Sequence, residues 1–90
     1  MPSAEYNPVV VRLEGEIDIS TSDTVVHELA KAAALTEDVV IDLKDVTFID
    51  STGIGLLAQA MNKGATLLLD GAPDHVKRVI ELSGINEPLT

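Results

Sequence analysis

The chain has 90 residues, room for one small domain, and 46% of them are hydrophobic, which is typical of a globular protein. Fifteen acidic residues against six basic ones give a net charge of −9, which disfavours binding to nucleic-acid phosphates or to an anionic bilayer surface. One Phe, one Tyr and no Trp leave no stacking platform for single-stranded nucleic acid, and the absence of cysteine excludes disulfides and thiolate metal sites.

The first residues of the given sequence predict no targeting signal. Residues 1–5 do not combine a basic region with a following apolar core, so no secretory signal is predicted. No apolar run approaches the roughly 18–20 residues that span a bilayer, so no direct membrane insertion is expected. We therefore expect a cytoplasmic protein.

The first half of the chain predicts a strand and a helix. Residues 9–13 are short and rich in β-branched side chains, and Gly15 is expected to end this strand. Residues 16–19 then lead to 20–23, a cluster of good helix N-cap residues. A helix over about 22–35 follows, with Glu28 and Lys31 on its outer face. Its apolar residues recur at helical spacing: Val25, Val26, Leu29, Ala30, Ala33 and Ala34.

The second half repeats the same alternation twice. Residues 39–43 predict a nearly all-apolar central strand, and 44–49 leave it as a loop or a short extended stretch. Residues 50–53 open a helical segment over about 54–61, with Gly64 as its C-terminal glycine. A third strand over 65–69 precedes a last helix, in which Pro73 takes the first position and Gly84 the end.

Strict alternation of strands and helices predicts the α/β class. We expect one compact domain over 1–90, a small and mostly parallel sheet with helices packed on it. The Ala-rich face of the first helix is expected to pack on that sheet. Periodicity alone does not give the strand order.

The segment Asp50-Ser51-Thr52-Gly53 is the strongest functional candidate, because function gathers where parallel strands end and helices start. A helix start offers unpaired N–H groups and a positive dipole end, which suit a phosphoryl group. Ser51 or Thr52 supplies a hydroxyl there, and Gly53 and Gly55 would let a partner approach the backbone.

A purely structural interpretation competes with this one, because Asp, Ser and Thr are the ordinary N-cap residues. The segment is neither a phosphate-binding Walker loop nor a Gly-x-Ser-x-Gly nucleophile elbow. No phosphate-cradling loop, and hence no nucleotide cofactor, is indicated elsewhere.

Three motifs then point to one family. Residues 39–57, VVIDLKDVTFIDSTGIGLL, resemble the signature of STAS domains, the family of anti-sigma-factor antagonists. Upstream, 13–18 (LEGEID) resemble the family's Leu-x-Gly-Glu-Leu/Ile-Asp turn, and downstream, 76–85 resemble its closing helix and Ser-Gly-Leu. The motifs stand in the family's order and together span 9–85.

The resemblance implies a protein-binding switch and not an enzyme. In that family, the serine after the aspartate is phosphorylated by an anti-sigma factor that is also a serine kinase of the ATP-binding, histidine-kinase-like type. This implies Ser51 as the phosphorylated residue, with Thr52 as the weaker candidate. The unphosphorylated form binds the anti-sigma factor and releases sigma. The partner-binding residues implied are Asp18, Asp50, Ser51, Thr52, Gly53 and Gly55.

An alternative within the family is the STAS subunit of bacterial lipid-transport ABC complexes, the Mla system, which docks on the ATPase. The elements that normally follow the Ser-Gly-Ile turn are mostly missing here, and this compactness resembles that subunit. In that case Ser51 and Thr52 would be contact residues instead of phosphorylation sites. A Ser-His-Asp triad built on His75 beside Asp74 is disfavoured, and two separated histidines, His27 and His75, without cysteine predict no metal site.

Overall fold

The fold follows the predicted alternation of strands and helices. The computed structural model describes residues 8–36 and 38–85, so the predictions for residues 1–5, for the full span of 1–90 and for the shortened C-terminus extend outside it. The elements are β1 (Val9–Ile17), α1 (Ser22–Leu35), β2 (Val39–Ile49), α2 (Ser51–Asn62), β3 (Thr66–Leu68) and α3 (Asp74–Ser83). The α/β prediction is confirmed, and α1 has the predicted bounds.

The three strands form one parallel sheet in the order β1-β2-β3. β2 is central, as its apolar sequence predicted, because a central parallel strand has neighbours on both sides. α1 packs against β1 and α2, and α3 packs against β2. The largest fully buried side chains come from strands and helices alike: Ile17, Ile41, Leu43, Leu57, Ile80, Val46 and Val76.

Both long strands extend further than the sequence indicated. Gly15 does not end β1: it has a positive φ of 75° but stays paired with Val46, and pairing continues to Ile17 opposite Ile49. Residues 44–49 are neither loop nor separate stretch, because they continue β2 to Ile49. Two register shifts against β1 accommodate the extra residues of β2. The continuous pairing carries both strands to the same edge of the sheet.

The helix ends are set by local hydrogen bonds. α2 starts at Ser51, three residues before the predicted start, because Asp50 is its N-cap. At its other end Gly64 (φ 106°) donates to Met61 and Ala65 to Ala60, the pair of bonds that closes a Schellman motif. The glycine predicted to end this helix is thus confirmed.

The third strand and the last helix differ slightly from the prediction. β3 is limited to Thr66–Leu68. Pro73 is the N-cap of α3 and not its first helical residue. Gly84 ends α3 in the left-handed conformation, as predicted.

The Ala-rich face of α1 is mostly solvent-exposed, so the prediction that it packs on the sheet is wrong. Ala32 is buried, whereas Ala30, Ala33 and Ala34 are exposed. Ala30 and Ala33 line an apolar groove of about 320 Å³ between α1 and α2, and Lys63 is among its lining residues. Small side chains leave this space because they do not reach the neighbouring helix. Glu28 and Lys31 lie on the outer face of α1, as predicted, and they form an ion pair there at 3.6 Å.

Candidate functional site

The carboxyl ends of β1 and β2 meet at the candidate site. Ile17 and Ile49 are paired, and the backbone N–H of Asp50 donates to the carbonyl oxygen of Ile17 at 3.3 Å. The residues that directly follow the two strands therefore lie close to each other. Asp18, which follows β1, and Ser51, which opens α2, thus lie at the same edge of the sheet.

Asp50 has a defined structural role. Its backbone is extended (φ −116°), and its carboxylate Oδ1 accepts a hydrogen bond from the N–H of Gly53 at 3.1 Å. Its carbonyl oxygen accepts the first helical bond, from Ile54, at 2.9 Å. Asp50 is therefore a complete N-cap, and the structural interpretation of this segment holds for that residue.

Ser51 and Thr52 occupy the first two positions of α2. Ser51 is exposed and Thr52 is half-buried, so the Ser51 hydroxyl is the more accessible of the two. Backbone N–H groups at these positions have no partner within the helix, and they lie at the positive end of its dipole. The local structure thus presents a free hydroxyl at a place that tolerates negative charge.

The two glycines of this turn differ in their surroundings. Gly53 is buried, and a Cβ there would lie 2.7 Å from the carbonyl oxygen of Ile17 and 2.7 Å from Cγ1 of Ile49. The backbone that approaches Gly53 closely is thus the chain's own, a contact that the sequence did not indicate. A Cβ on Gly55 would meet nothing within 4 Å, so its open side is available to a partner.

Asp18 organises the loop between β1 and α1. Its Oδ1 accepts hydrogen bonds from the Ser20 hydroxyl (2.6 Å), the Ser20 N–H (2.9 Å) and the Thr21 N–H (3.3 Å). These donors, the Ser20 hydroxyl foremost, favour the charged carboxylate and lower the pKa of Asp18. Thr21, the N-cap of α1, donates its hydroxyl to the carbonyl oxygen of Glu16 at 2.8 Å. The loop is held by its own side chains.

Comparison with known proteins identifies the family. The family described as "Mlab, STAS domain" matches residues 1–90, and three parallel strands with three helices match its fold. The chain belongs to the STAS domain family. This STAS domain is 28% identical over 85 residues to the anti-sigma-B factor antagonist of Bacillus subtilis, covering 90% of this chain and 78% of that protein.

Two further relatives of the STAS domain are also antagonists by name. It is 32% identical over 83 residues to the anti-sigma F factor antagonist of Paenibacillus polymyxa, covering 86% of this chain and 71% of that protein. The solved structure of the anti-sigma factor antagonist SpoIIAA in its unphosphorylated form superposes with a TM-score of 0.69 at 26% identity, covering 86% of this chain and 72% of SpoIIAA. The family resemblance drawn from the sequence is confirmed.

The two chain segments that meet beside Ser51 in this STAS domain are acidic in sequence. The two segments that build the site, 16–23 and 46–56, contain four carboxylates and no Lys or Arg. The four are Glu16, Asp18, Asp23 and Asp50. Such a surface is electrostatically suited to a basic partner, and it adds repulsion to any further negative charge placed on it.

Other chemistry finds no support in the part of the chain that the structure describes. Nε2 of His75 donates to the carbonyl oxygen of Thr47, and His27 is exposed on α1. No hydrogen bond in residues 8–36 and 38–85 joins either histidine to Ser51, and no group of three metal-ligating side chains occurs there. Among the described helices, none is long and apolar enough to cross a membrane.

Proposed function

We propose that this STAS domain is an anti-sigma-factor antagonist whose partner is an anti-sigma factor with serine kinase activity. The unphosphorylated form binds that partner, and phosphorylation of Ser51 ends the binding. One observation carries the proposal: an exposed serine hydroxyl opens α2 in a chain whose relatives are named anti-sigma factor antagonists. The domain acts as a binding switch and not as an enzyme, needs no cofactor and works in the cytoplasm.

Exposure favours Ser51 over Thr52 as the acceptor. A kinase must bring the acceptor oxygen in line with the γ-phosphate of ATP. This requires a hydroxyl that is exposed on the surface of the substrate protein. Ser51 is exposed, whereas Thr52 is half-buried in the first turn of α2. The carboxylate of Asp50, the residue before Ser51, is engaged as the N-cap of α2 through its hydrogen bond with the Gly53 N–H.

The local structure accounts for a switch without unfolding. A phosphate brings about −1.5 to −2 charge, which the N-terminus of a helix accommodates. Within an interface, the same group adds bulk and desolvation cost, and it is repelled by any carboxylate of the partner that faces Ser51. A penalty of about 2–3 kcal/mol would weaken binding by a factor of about 30–150.

Binding of Ser51 variants to the cognate anti-sigma factor tests the proposal. Ser51→Ala should bind constitutively, in the presence of ATP as well as in its absence, because it accepts no phosphate. Ser51→Asp should bind weakly while unfolding at the same denaturant concentration as the wild type, since an acid at a helix start is tolerated. Thr52→Ala is the matched control and should still be switched off by ATP. Equal binding by all variants would remove Ser51 as the switch.

A second candidate function is favoured by the description of the matching family, which names Mlab. In that function the domain docks on the ATPase of a bacterial lipid-transport ABC complex, with Ser51 and Thr52 as contact residues. Affinity purification from the native host separates the two candidates. Recovery of a transporter ATPase, with no phosphate on the chain under any growth condition, would support docking; recovery of a small ATP-binding kinase would support the switch.

A further inference from the structure

Ile19 is an exposed aliphatic residue in the β1–α1 loop. Its side chain is 77% exposed, although it is a large aliphatic group. Its neighbours Asp18 and Ser20 are bound to each other, so Ile19 stands at the tip of a closed turn. A single exposed aliphatic residue is common on protein surfaces, so its position and its rigidity have to carry any functional argument.

The position of Ile19 is next to the candidate phosphorylation site. Ile17, two residues before it, accepts the hydrogen bond of Asp50 and lies against Gly53 in the first turn of α2. The loop that bears Ile19 and the helix start that bears Ser51 are thus joined through one residue. A partner that covers Ser51 closely reaches this loop as well.

The backbone of Ile19 is held in place before any partner binds. The hydroxyl of Ser22 donates to the carbonyl oxygen of Ile19 at 3.0 Å. On its other side, the Thr21 N–H donates to the carbonyl oxygen of Asp18 at 3.1 Å, and the Thr21 hydroxyl accepts from the Asp18 N–H at 3.0 Å. A loop that is already ordered loses little entropy when it binds, so an apolar side chain on it contributes more to affinity.

The surroundings of Ile19 resemble those of an interface anchor. Residues that dominate binding energy are large, enter a pocket of the partner and are surrounded by polar groups that contribute little themselves. Here the polar neighbours of Ile19 in the loop are Asp18 and Ser20, and Ser51 lies on the adjoining start of α2, which contacts Ile17. Their charge is negative or neutral.

We propose that Ile19 is the apolar anchor of the interface with the anti-sigma factor and inserts into an apolar pocket rimmed by basic side chains. This inference rests on the proposed function and adds to it the residue that supplies affinity, whereas Ser51 supplies control. Ile19→Ala should weaken binding by about 10–100-fold, as truncation of an anchor residue does. Ile19→Val, which keeps most of the side chain, should stay close to the wild type.

The chain offers two matched controls. Leu35 is 75% exposed and Leu82 is 81% exposed, so both are close to Ile19 in exposure. Leu35 ends α1 just before β2 starts, at the opposite edge of the sheet. The 11 residues of β2 separate the two edges by roughly 30 Å. Leu82, near the end of α3, lies about 10 Å along that helix from His75, the residue that contacts β2 at Thr47.

Titration calorimetry of unphosphorylated protein with its anti-sigma factor tests the anchor. We expect weaker binding for Ile19→Ala, wild-type binding for Leu35→Ala and Leu82→Ala, and an intermediate loss for Ser22→Ala, which releases the Ile19 backbone. Wild-type affinity of Ile19→Ala, with Ser51→Asp still weak, would overturn the anchor and leave the switch standing. Wild-type affinity of Ser51→Asp would instead overturn the proposed function. Unchanged unfolding curves of the variants exclude misfolding as the cause.

Discussion

The carbonyl oxygen of Ile17 lies 2.7 Å from the point that a Cβ on Gly53 would occupy. The first turn of α2 is therefore seated directly on the end of β1. The same carbonyl oxygen accepts the N–H of Asp50. One backbone group of β1 thus fixes both the N-cap and the first turn of the helix that presents Ser51.

Gly53→Ala should destabilise the domain, because the new methyl group meets backbone as well as the side chains of Ile17 and Ile49. Overpacking of this kind costs about 1–3 kcal/mol in the free energy of unfolding, which urea denaturation measures. Gly55→Ala is the control: its Cβ meets nothing within 4 Å, and replacing a glycine inside a helix should stabilise by about 0.5–1 kcal/mol. Equal effects at both positions would contradict the packing described for Gly53.

Asp50→Ala should lower the free energy of unfolding by about 0.5–2 kcal/mol, because the Gly53 N–H loses the carboxylate that caps it. Asp50→Asn keeps a side-chain acceptor and should cost less. Thermal or urea unfolding of the two variants measures the difference. If the alanine variant were as stable as the wild type, Asp50 would have no capping role, and its presence would have to be explained by partner binding alone.

Ser20→Ala should raise the pKa of Asp18 back towards 3.8, because the Ser20 hydroxyl is the largest of the contributions that lower it. A carboxylate with a lowered pKa in the folded state stabilises the fold above about its unfolded value and loses that contribution as the pH falls through the folded value. Carboxyl carbon chemical shifts followed by NMR between pH 2 and about pH 6 measure this pKa. An unchanged value in the variant would show that the loop's hydrogen bonds are not formed in solution.

The order of elements could be predicted because each one carries its own periodicity. α1 illustrates this, since its N-cap cluster and its apolar spacing are local signals and its bounds came out as predicted. The second half of β2 could not be recognised in this way. Val46 and Ile49 are buried, with two exposed residues between them, and this spacing reflects the register shifts against β1 instead of the two-residue period of a regular strand.

The candidate site shows the same division between local and distant signals. The position of Ser51 at a helix start follows from a local motif, whereas Asp18 was included among the partner-binding residues only through the family resemblance, because β1 was expected to end at Gly15. The requirement for a glycine at position 53 could not be predicted from a local motif. It depends on close contact with Ile17, which is distant in sequence and adjacent only in the fold. The exposure of Ile19 was equally hidden, since an isoleucine after a strand is more often a core residue.

Intact-mass spectrometry with peptide mapping, on protein purified from its native host, tests the central claim most directly. We predict a fraction of molecules that carry one phosphate, mapped to Ser51 and absent from Ser51→Ala. A chain that carries no phosphate under any growth condition, or one whose phosphate remains in Ser51→Ala, would contradict the account of Ser51 as the switch.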